Sequence, residues 1–373
     1  MKRTPILILD EAPPKGFLGM DAPGPGTKSD RGKRQDAGEN RQEQPAVSIL
    51  LSELPIWGSF RVRDLIGRFY PHKTVAVLLP FRERWAPDRL IALLDKDEIQ
   101  DRVVVGRTGN LTLIDWEKLL RDVKKSRSLL KIQVGKTPSD LYVVDKNELL
   151  LAATTWETQR PRSACDFLSW LFDGYLFHNF EKILDVDGFS LQLRNSYEYH
   201  TENIRIADSF GLKRYSDLYR ELDPDSLAGT TVTGTGEVFG SVLGAGVKVS
   251  GTVSGSVLFS GVTVEPNAVV RNSVVLPQNT VGGGVVLENT LVLEGNKRVI
   301  GESSVIGGER ETENPRFRDV LKHGLTVIGT EIDIPSGSRI GAACLVAGRG
   351  DVSDLAIELD DGGVLFSNGG CVR

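Results

Sequence analysis

Aliphatic residues in the second half of the chain recur at a spacing of six. Successive sets are displaced by 17 residues, as in Val247/Val253/Phe259, Val264/Val270/Leu276 and Val281/Leu287/Leu293. A later series, Ile328/Ile334/Ile340/Val346, keeps the same spacing. Sides of six residues and turns of about 17 predict a triangular coil of short parallel strands, in which each side directs one aliphatic residue inward.

The first half instead alternates short apolar runs with helical patterns. Five runs have strand length: ILILD (6–10), TVAVLLP (74–80), RVVVG (102–106), LLKIQV (129–134) and LYVVD (141–145). Between them, residues 89–99 and 116–125 have the pattern of helices. Strands that alternate with helices predict an α/β domain with a mostly parallel sheet, and such sheets bind ligands beyond the carboxyl ends of their strands.

Composition marks the boundary between these two regions. All five Trp precede residue 171, whereas 26 of the 40 Gly lie in residues 225–373. We therefore expect an α/β domain over residues 1–220 and the coil over residues 225–373. Residues 18–47 are rich in Gly, Pro and charge and predict a mobile loop, and the polar residues 307–324 predict an excursion between turns of the coil.

Charge and composition exclude several classes of protein. The 373 residues carry a formal net charge of −5, so a nucleic-acid partner is not expected, because phosphate contacts need clustered positive charge. The three cysteines are far apart and show neither a disulfide framework nor a metal-binding spacing. No apolar run approaches 18 residues, and the first residues lack the pattern of a signal peptide. We expect a cytoplasmic protein that does not associate with membranes.

Four segments carry a resemblance to a known family. They are PIWGSFRVRDL (55–65), VVVGRTGNLTLIDWEKLL (103–120), YEYHTENIRI (197–206) and the coil sequence over residues 240–296. Together they resemble the sugar-phosphate nucleotidyltransferases, and among these the glucose-1-phosphate adenylyltransferases (ADP-glucose pyrophosphorylases). The resemblance implies a Rossmann-like α/β domain followed by a left-handed parallel β-helix. The chain is most similar to the regulatory, non-catalytic type of subunit in that family.

The resemblance also implies a reaction against which the residues can be compared. In that reaction a sugar phosphate attacks the α-phosphorus of a nucleoside triphosphate, and carboxylates hold the Mg²⁺ that bridges the phosphates. The family's two metal-binding aspartates align here with Gly109 and Gln192, and its Glu–Lys pair for the sugar phosphate aligns with Glu157 and Thr158. The resemblance therefore predicts a degenerate site with no catalytic residues, no metal and no cofactor.

A pocket without catalysis can still hold a sugar phosphate or a nucleotide. The candidate ligand-binding residues are Arg61, Asp64, Asp115 and Glu157. For Arg61 and Asp64, a structural ion pair or a helix cap is an equally good interpretation. On this hypothesis the protein is a regulatory or assembly subunit in sugar-nucleotide or glycogen metabolism, as a homo-oligomer or with a catalytic adenylyltransferase.

An active nucleotidyltransferase with an atypical phosphate loop is the first alternative. The loop would consist of Gly24, Gly26, Thr27 and Lys28. Asp185 and Asp187 would then hold Mg²⁺ in place of the missing carboxylates. This loop follows the first predicted strand by about 15 residues more than the family's loop does, and its composition is typical of a solvated linker.

An acyltransferase is the second alternative, because coils of this kind often carry acetyl transfer. The general base would be His323, which lies directly before the resumed six-residue repeat. A single histidine at the end of a polar loop is also typical of a solvated side chain. The sequence leaves both interpretations open.

Overall fold

The structure of the chain is a computed structural model that describes residues 6–11, 53–58, 60–70, 76–81, 87–95, 101–123, 128–135, 137–159, 167–209, 228–294, 298–318, 320–330, 332–347, 355–366 and 370–372. These residues form two compact units, one within residues 6–209 and the other within residues 228–372. Each unit has a hydrophobic core. Among the described helices, none combines the length and the apolar character that a bilayer span requires.

A six-stranded sheet forms the centre of the first unit. The strands of this unit are β1 (Ile6–Glu11), β2 (Pro55–Ile56), β3 (Phe60–Arg61), β4 (Ala76–Phe81), β5 (Arg102–Arg107), β6 (Asn110–Ile114), β7 (Leu130–Val134), β8 (Thr137–Asp145), β9 (Lys182–Val186) and β10 (Gly188–Gln192). The sheet order is β4-β1-β5-β8-β7-β9, and only β8 runs antiparallel to its neighbours. The predicted α/β class and mostly parallel sheet are confirmed.

Helices pack against the sheet, and their buried side chains complete the hydrophobic core of this unit. They are α1 (Val62–Phe69), α2 (Asp88–Leu94), α3 (Trp116–Val123), α4 (Lys146–Gln159), α5 (Phe167–Ser169), a π-helix (Trp170–Leu176), α6 (Phe177–Asn179) and α7 (Ser196–Ser209). Buried side chains of β1, β5 and β8 pack against those of α2, α4 and the π-helix. α2 and α3 lie where the helical patterns predicted helices. β1 continues to Glu11, one residue beyond the predicted run at 6–10.

The second unit is a parallel β-helix, as the six-residue spacing predicted. Its strands are β11 (Thr231–Val232), β12 (Glu237–Phe239), β13 (Val242–Leu243), β14 (Lys248–Val249), β15 (Thr252–Ser254), β16 (Val257–Leu258), β17 (Thr263–Val264), β18 (Val269–Arg271), β19 (Val274–Val275), β20 (Asn279–Val281), β21 (Val286–Glu288), β22 (Thr290–Val292), β23 (Arg298–Ile300), β24 (Val305–Gly307), β25 (Thr326–Ile328), β26 (Arg339–Ile340), β27 (Leu345–Ala347), β28 (Glu358–Leu359), β29 (Val364–Phe366) and β30 (Gly370–Val372). They form three parallel sheets, the faces of the coil, and β30 joins the third in antiparallel orientation.

The repeat places one aliphatic column inside each face. Val253, Val270 and Leu287 pair in register across three turns, and all three side chains are buried. The predicted displacement of 17 residues holds for these turns. The preceding turn is shorter, because Val238 pairs with Val253. Apolar burial of this kind stabilises the coil by about 1.5–3 kcal/mol for each fully buried side chain.

A ladder of hydroxyl groups also connects successive turns. The backbone N–H of Ser273 donates to Ser256 Oγ at 3.1 Å, and that of Thr290 donates to Ser273 Oγ at 3.1 Å. Ser256, Ser273 and Thr290 are all buried. Because a buried N–H without a partner is costly, each hydroxyl stabilises the turn that follows it.

The repeat is interrupted between β24 and β25. β24 ends at Gly307, β25 begins at Thr326, and the described residues between them contain no strand. Buried Asn314 fastens this segment to the coil, since its Nδ2 donates to the carbonyl oxygens of Ala343 at 2.8 Å and Gly362 at 3.0 Å. The segment is therefore hydrogen-bonded to two of the turns that follow it in the sequence.

Candidate functional site

The β6–β10 pair brings together the two positions that align with the family's metal-binding aspartates. β6 and β10 are antiparallel, and Asn110 lies opposite Gln192. Directly beyond this pair, the N–H of Leu193 donates to the carbonyl oxygen of Gly109 at 2.8 Å. Gly109 and Gln192 were aligned from separate motifs, about 80 residues apart, and the fold makes them neighbours. This proximity is what a shared ligand site requires.

The side chains at this end of the β6–β10 pair are neutral and hydrogen-bonded to one another. Asn110 Nδ2 donates to Gln192 Oε1 at 3.1 Å, and Ser190 Oγ donates to Asn110 Oδ1 at 2.9 Å. Gln192 Nε2 lies 3.3 Å from Ser190 Oγ. Asn110 and Ser190 are buried. We call Asn110, Ser190 and Gln192 the amide cluster; its side chains are hydrogen-bonded to one another and none of them carries a formal charge.

One buried carboxylate borders the amide cluster. Glu202 Oε1 accepts a hydrogen bond from the N–H of Gln192 at 3.2 Å, and its Oε2 lies 3.3 Å from Nη1 of Arg205. Burial raises the pKa of Glu202, while Arg205 and the Gln192 N–H oppose that rise. Both oxygens of this carboxylate thus have partners within the protein, and its negative charge is paired with a guanidinium.

Two motifs of the family resemblance, residues 55–65 and residues 197–206 in α7, contact each other directly. The N–H of Trp57 donates to Asn203 Oδ1 at 2.8 Å, and Trp57 Nε1 lies 3.4 Å from the carbonyl oxygen of Glu202. The hydroxyl of Tyr199 donates to the carbonyl oxygen of Pro55. Trp57, Tyr199 and Asn203 are buried. α7 therefore fixes the turn at residues 55–58, in which Trp57 has a φ of 53°.

Arg61 and Asp64 have structural partners at the start of α1. Asp64 Oδ2 accepts a hydrogen bond from the N–H of Arg61 at 2.7 Å, as a helix-capping carboxylate does. Arg61 Nη1 donates to the carbonyl oxygen of Glu53 at 2.6 Å. Both side chains remain partly exposed. These contacts fit the helix-cap interpretation of the pair without requiring a ligand.

Asp115 caps a different helix. Its Oδ1 accepts a hydrogen bond from the N–H of Lys118 at 2.9 Å, in the first turn of α3. The Tyr70 and Trp116 rings pack at 4.5 Å, so α3 begins beside the end of α1, at the opposite end of that helix from Asp64. Glu157, the fourth candidate, lies in α4. The structure thus places these four candidates at the ends or along the length of three different helices.

The carboxylates of the first alternative lie away from Gly109. Asp185 and Asp187 are exposed, and Asp187 precedes Gly188, which pairs with Ile114 at the far end of the β6–β10 ladder. Four residues of strand separate that end from the Asn110–Gln192 pair, about 13 Å. Asp187 therefore does not replace the missing carboxylate at Gln192. The loop residues Gly24, Gly26, Thr27 and Lys28 lie outside the described residues.

A buried cation at the end of β5 was missed by the sequence analysis. Arg107 Nε donates to Asp140 Oδ2 at 2.8 Å, and its Nη2 lies 2.9 Å from Asp173 Oδ1. The guanidinium also lies over the ring of Phe172. Arg107 pairs with Leu9 at the carboxyl end of the parallel strands, where such sheets bind ligands. The pattern that could have revealed it is an arginine directly after the apolar run at 102–106.

His323 of the acyltransferase alternative is exposed on the coil. Its Nδ1 lies 3.8 Å from Glu311 Oε1, and its backbone carbonyl accepts a hydrogen bond from Asn289 Nδ2 at 2.9 Å. Its φ of 52° is a left-handed conformation of the kind found in tight corners. The contact with Asn289 gives His323 a structural role in the coil. Within the described part of the chain, no three His, Cys, Asp or Glu side chains cluster as metal ligands do.

Comparison with known proteins adds two findings. Residues 226–328 match the family model described as "GlmU-like, C-terminal hexapeptide". A stretch of 178 residues is 25% identical to a glucose-1-phosphate adenylyltransferase of Fervidobacterium nodosum. That stretch covers 47% of this chain and 41% of the relative, so the match spans less than half of either protein.

These matches agree with the fold and with the residues that carry the resemblance. The chain is nucleotidyltransferase-like. The hexapeptide match covers the turns from β11 to β25, including the interruption between β24 and β25.

Proposed function

We propose that this nucleotidyltransferase-like protein does not catalyse nucleotidyl transfer and acts as a regulatory or assembly subunit in sugar-nucleotide metabolism. The observation that carries the proposal is the neutrality of the amide cluster. The family resemblance places aspartates at positions 109 and 192; here Gly109 is hydrogen-bonded to Leu193, the residue after Gln192. The buried carboxylate that accepts a hydrogen bond from the Gln192 N–H, Glu202, is paired with Arg205.

The physical reason is the charge that the reaction requires. Mg²⁺ prefers anionic oxygen ligands, and in phosphate chemistry it is usually held by one or two carboxylates together with the phosphates. Asn110, Ser190 and Gln192 offer only neutral oxygens, and these accept hydrogen bonds from one another. A metal ion at this place would have to break those bonds without gaining a negative partner. The site is therefore suited to hydrogen bonding and unsuited to holding a metal-bound triphosphate.

The intact parts of the molecule support a role beside a catalytic subunit. The β-helix keeps its buried columns and hydroxyl ladder, and the α/β unit keeps its core and its mostly parallel sheet. On this proposal the α/β unit retains affinity for a sugar phosphate or a nucleotide and does not turn it over. The partner would be an adenylyltransferase with complete catalytic motifs, and the pathway would be glycogen or a related glucan synthesis.

Pyrophosphate release tests the proposal. The purified chain is mixed with Mg²⁺, ATP and glucose 1-phosphate, and pyrophosphate is followed by a coupled assay. We expect no release above the background of a heat-denatured sample. An active adenylyltransferase from the same cells is then assayed with and without the chain, and we expect its response to effectors to change. Release by the chain alone at ordinary enzyme rates would contradict the proposal.

A further inference from the structure

One face of the β-helix carries an apolar stripe whose side chains are half-buried or exposed among the described residues. This face consists of β12, β15, β18, β21, β24, β26 and β28. The central residues of its strands, among them Val253, Val270 and Leu287, point into the core. Because side chains alternate along a strand, the residues that flank them point outward. We call this outer surface the valine face.

The outward residues form two columns along the coil. The first column, in register from turn to turn, is Glu237, Thr252, Val269, Val286, Val305, Arg339 and Glu358. The second is Phe239, Ser254, Arg271 and Glu288. Three valines are thus stacked at the centre of the face, with charged residues at both ends. Val305 is 41% exposed, and Phe239 is 57% exposed.

The other two faces differ from the valine face. On the third face both columns are buried, as Val257, Val274 and Leu291 show. On the first face the outward column consists of Thr231, Lys248, Thr263 and Thr280, which are polar, and then a single exposed valine, Val299. The valine face combines accessibility with a central apolar stripe, which is the arrangement of an interaction surface.

The order of charges on the valine face is self-complementary. We propose that a second copy of this chain packs on the valine face about a two-fold axis that runs parallel to the strands, between β18 and β21. This rotation places each column opposite the same column of the partner, with the order of the turns reversed. Val269 then meets the partner's Val286. Arg271, which lies 3.9 Å from Glu288 of its own chain, also meets the partner's Glu288, so the two ion pairs join into one network. In the same register, Glu237 meets the partner's Arg339.

The alternative registers are less favourable. Moving the axis by half a turn, onto β21, would place Glu237 opposite the partner's Glu358, which are like charges. The axis between β18 and β21 instead gives two pairs of opposite charges on each side. Like charges that face each other across an interface are costly, so charge order favours this register over the one centred on β21.

The size of the face sets the strength that we expect. Seven strands spaced by about 4.8 Å extend over about 29 Å along the coil. Each strand is only two or three residues long, so the face is narrow. This is smaller than the interface of a standard stable complex, which buries about 800 Å² on each partner. We therefore expect a weak dimer whose population depends on protein concentration. This proposal does not depend on the proposed function, because a catalytic chain would carry the same face.

Charge reversal at Glu237 and Arg339 tests the two-fold axis. These residues lie five strands apart in one chain, about 24 Å, so they cannot pair within it. In sedimentation-velocity experiments on the full chain, we expect Glu237→Arg or Arg339→Glu alone to raise the dimer Kd about tenfold or more, because each creates two like-charge contacts. Lys248→Glu, a charge reversal on the first face, is the matched control and should leave the Kd unchanged.

Mixing the two variants gives the decisive result. In a dimer of one Glu237→Arg chain and one Arg339→Glu chain, both contacts again join opposite charges. We expect the mixture to dimerise about as well as the wild type, whereas each variant alone does not. A wild-type chain that stays monomeric at about 100 µM would overturn the proposal. So would a dimer that neither variant weakens, or a mixture that remains as weak as its components.

Discussion

The β-helix and the α/β unit acquire their structures from different kinds of sequence information. In the β-helix, each buried position repeats at a fixed interval, and Val253, Val270 and Leu287 perform the same task in successive turns. In the α/β unit, the amide cluster joins residues 80 positions apart. A periodic core tolerates variation at one turn, because the neighbouring turns keep the register. A cluster assembled from distant residues has no such redundancy, and a change of charge at one position alters the chemistry of the whole site.

The largest effect is expected from a cavity in the centre of the coil. Leu287 is fully buried between Val270 and Ile306. Leu287→Ala should lower the free energy of unfolding of the coil by about 2–5 kcal/mol, because it removes buried methyl groups and leaves a void. Urea denaturation, followed by circular dichroism, measures this. Val286→Ala on the outer surface of the same strand is the control, and equal losses in the two variants would refute the inward assignment.

A smaller loss is expected where α7 fixes the 55–58 turn. Asn203→Ala leaves the buried N–H of Trp57 without its partner at 2.8 Å and should cost about 1–3 kcal/mol. Trp57 fluorescence should change in the same denaturation experiment, since this contact holds the backbone of Trp57 in place. Thr201→Ala, at an exposed position of α7, serves as the control. No difference between the two variants would show that this contact contributes little to the unit.

The smallest effect concerns the pH dependence of Glu202. Burial raises the pKa of Glu202 above the ordinary value of 4.5, so ionising it costs more in the folded chain than in the unfolded chain. The stability from this group is therefore greatest at acid pH and falls as pH rises from 4.5 through the folded pKa. Glu202→Gln removes that dependence.

Paired denaturation curves at pH 5 and pH 7.5 measure the effect. The wild type should lose stability relative to Glu202→Gln between pH 5 and pH 7.5, so the variant should compare more favourably at the higher pH. Glu117→Gln, at an exposed position of α3, controls for the loss of a surface charge. A difference that stays constant between the two pH values would mean that the burial of Glu202 has no energetic consequence.

The β-helix could be predicted from the sequence almost turn by turn, whereas the site could be predicted only in part. Six-residue spacing is a local signal, and it located Val253, Val270 and Leu287 in the core. Motif alignment also found Gly109 and Gln192, and the structure makes them neighbours. The hydrogen bonds among Asn110, Ser190 and Gln192 depend on the pairing of β6 with β10, which no local pattern encodes.

Two other features show the same limit. Arg107 could be recognised as a strand-end arginine, but its partners Asp140 and Asp173 come from later elements. Arg61 and Asp64 matched a family motif, yet a motif match does not separate a helix cap from a ligand-binding pair. The capping contacts of Asp64 and Asp115 became visible only with the backbone of α1 and α3 in place.

Cation binding at the amide cluster tests the central claim most directly. Mn²⁺, used in place of Mg²⁺, is titrated into three proteins and the free ion is measured by electron paramagnetic resonance. The proteins are the wild type, the double variant Gly109→Asp/Gln192→Asp, and the uncharged control Gly109→Asn/Gln192→Asn. We predict that the aspartate variant binds one Mn²⁺ more per chain than the wild type and the asparagine control. Equal binding by the wild type and the aspartate variant would contradict the account.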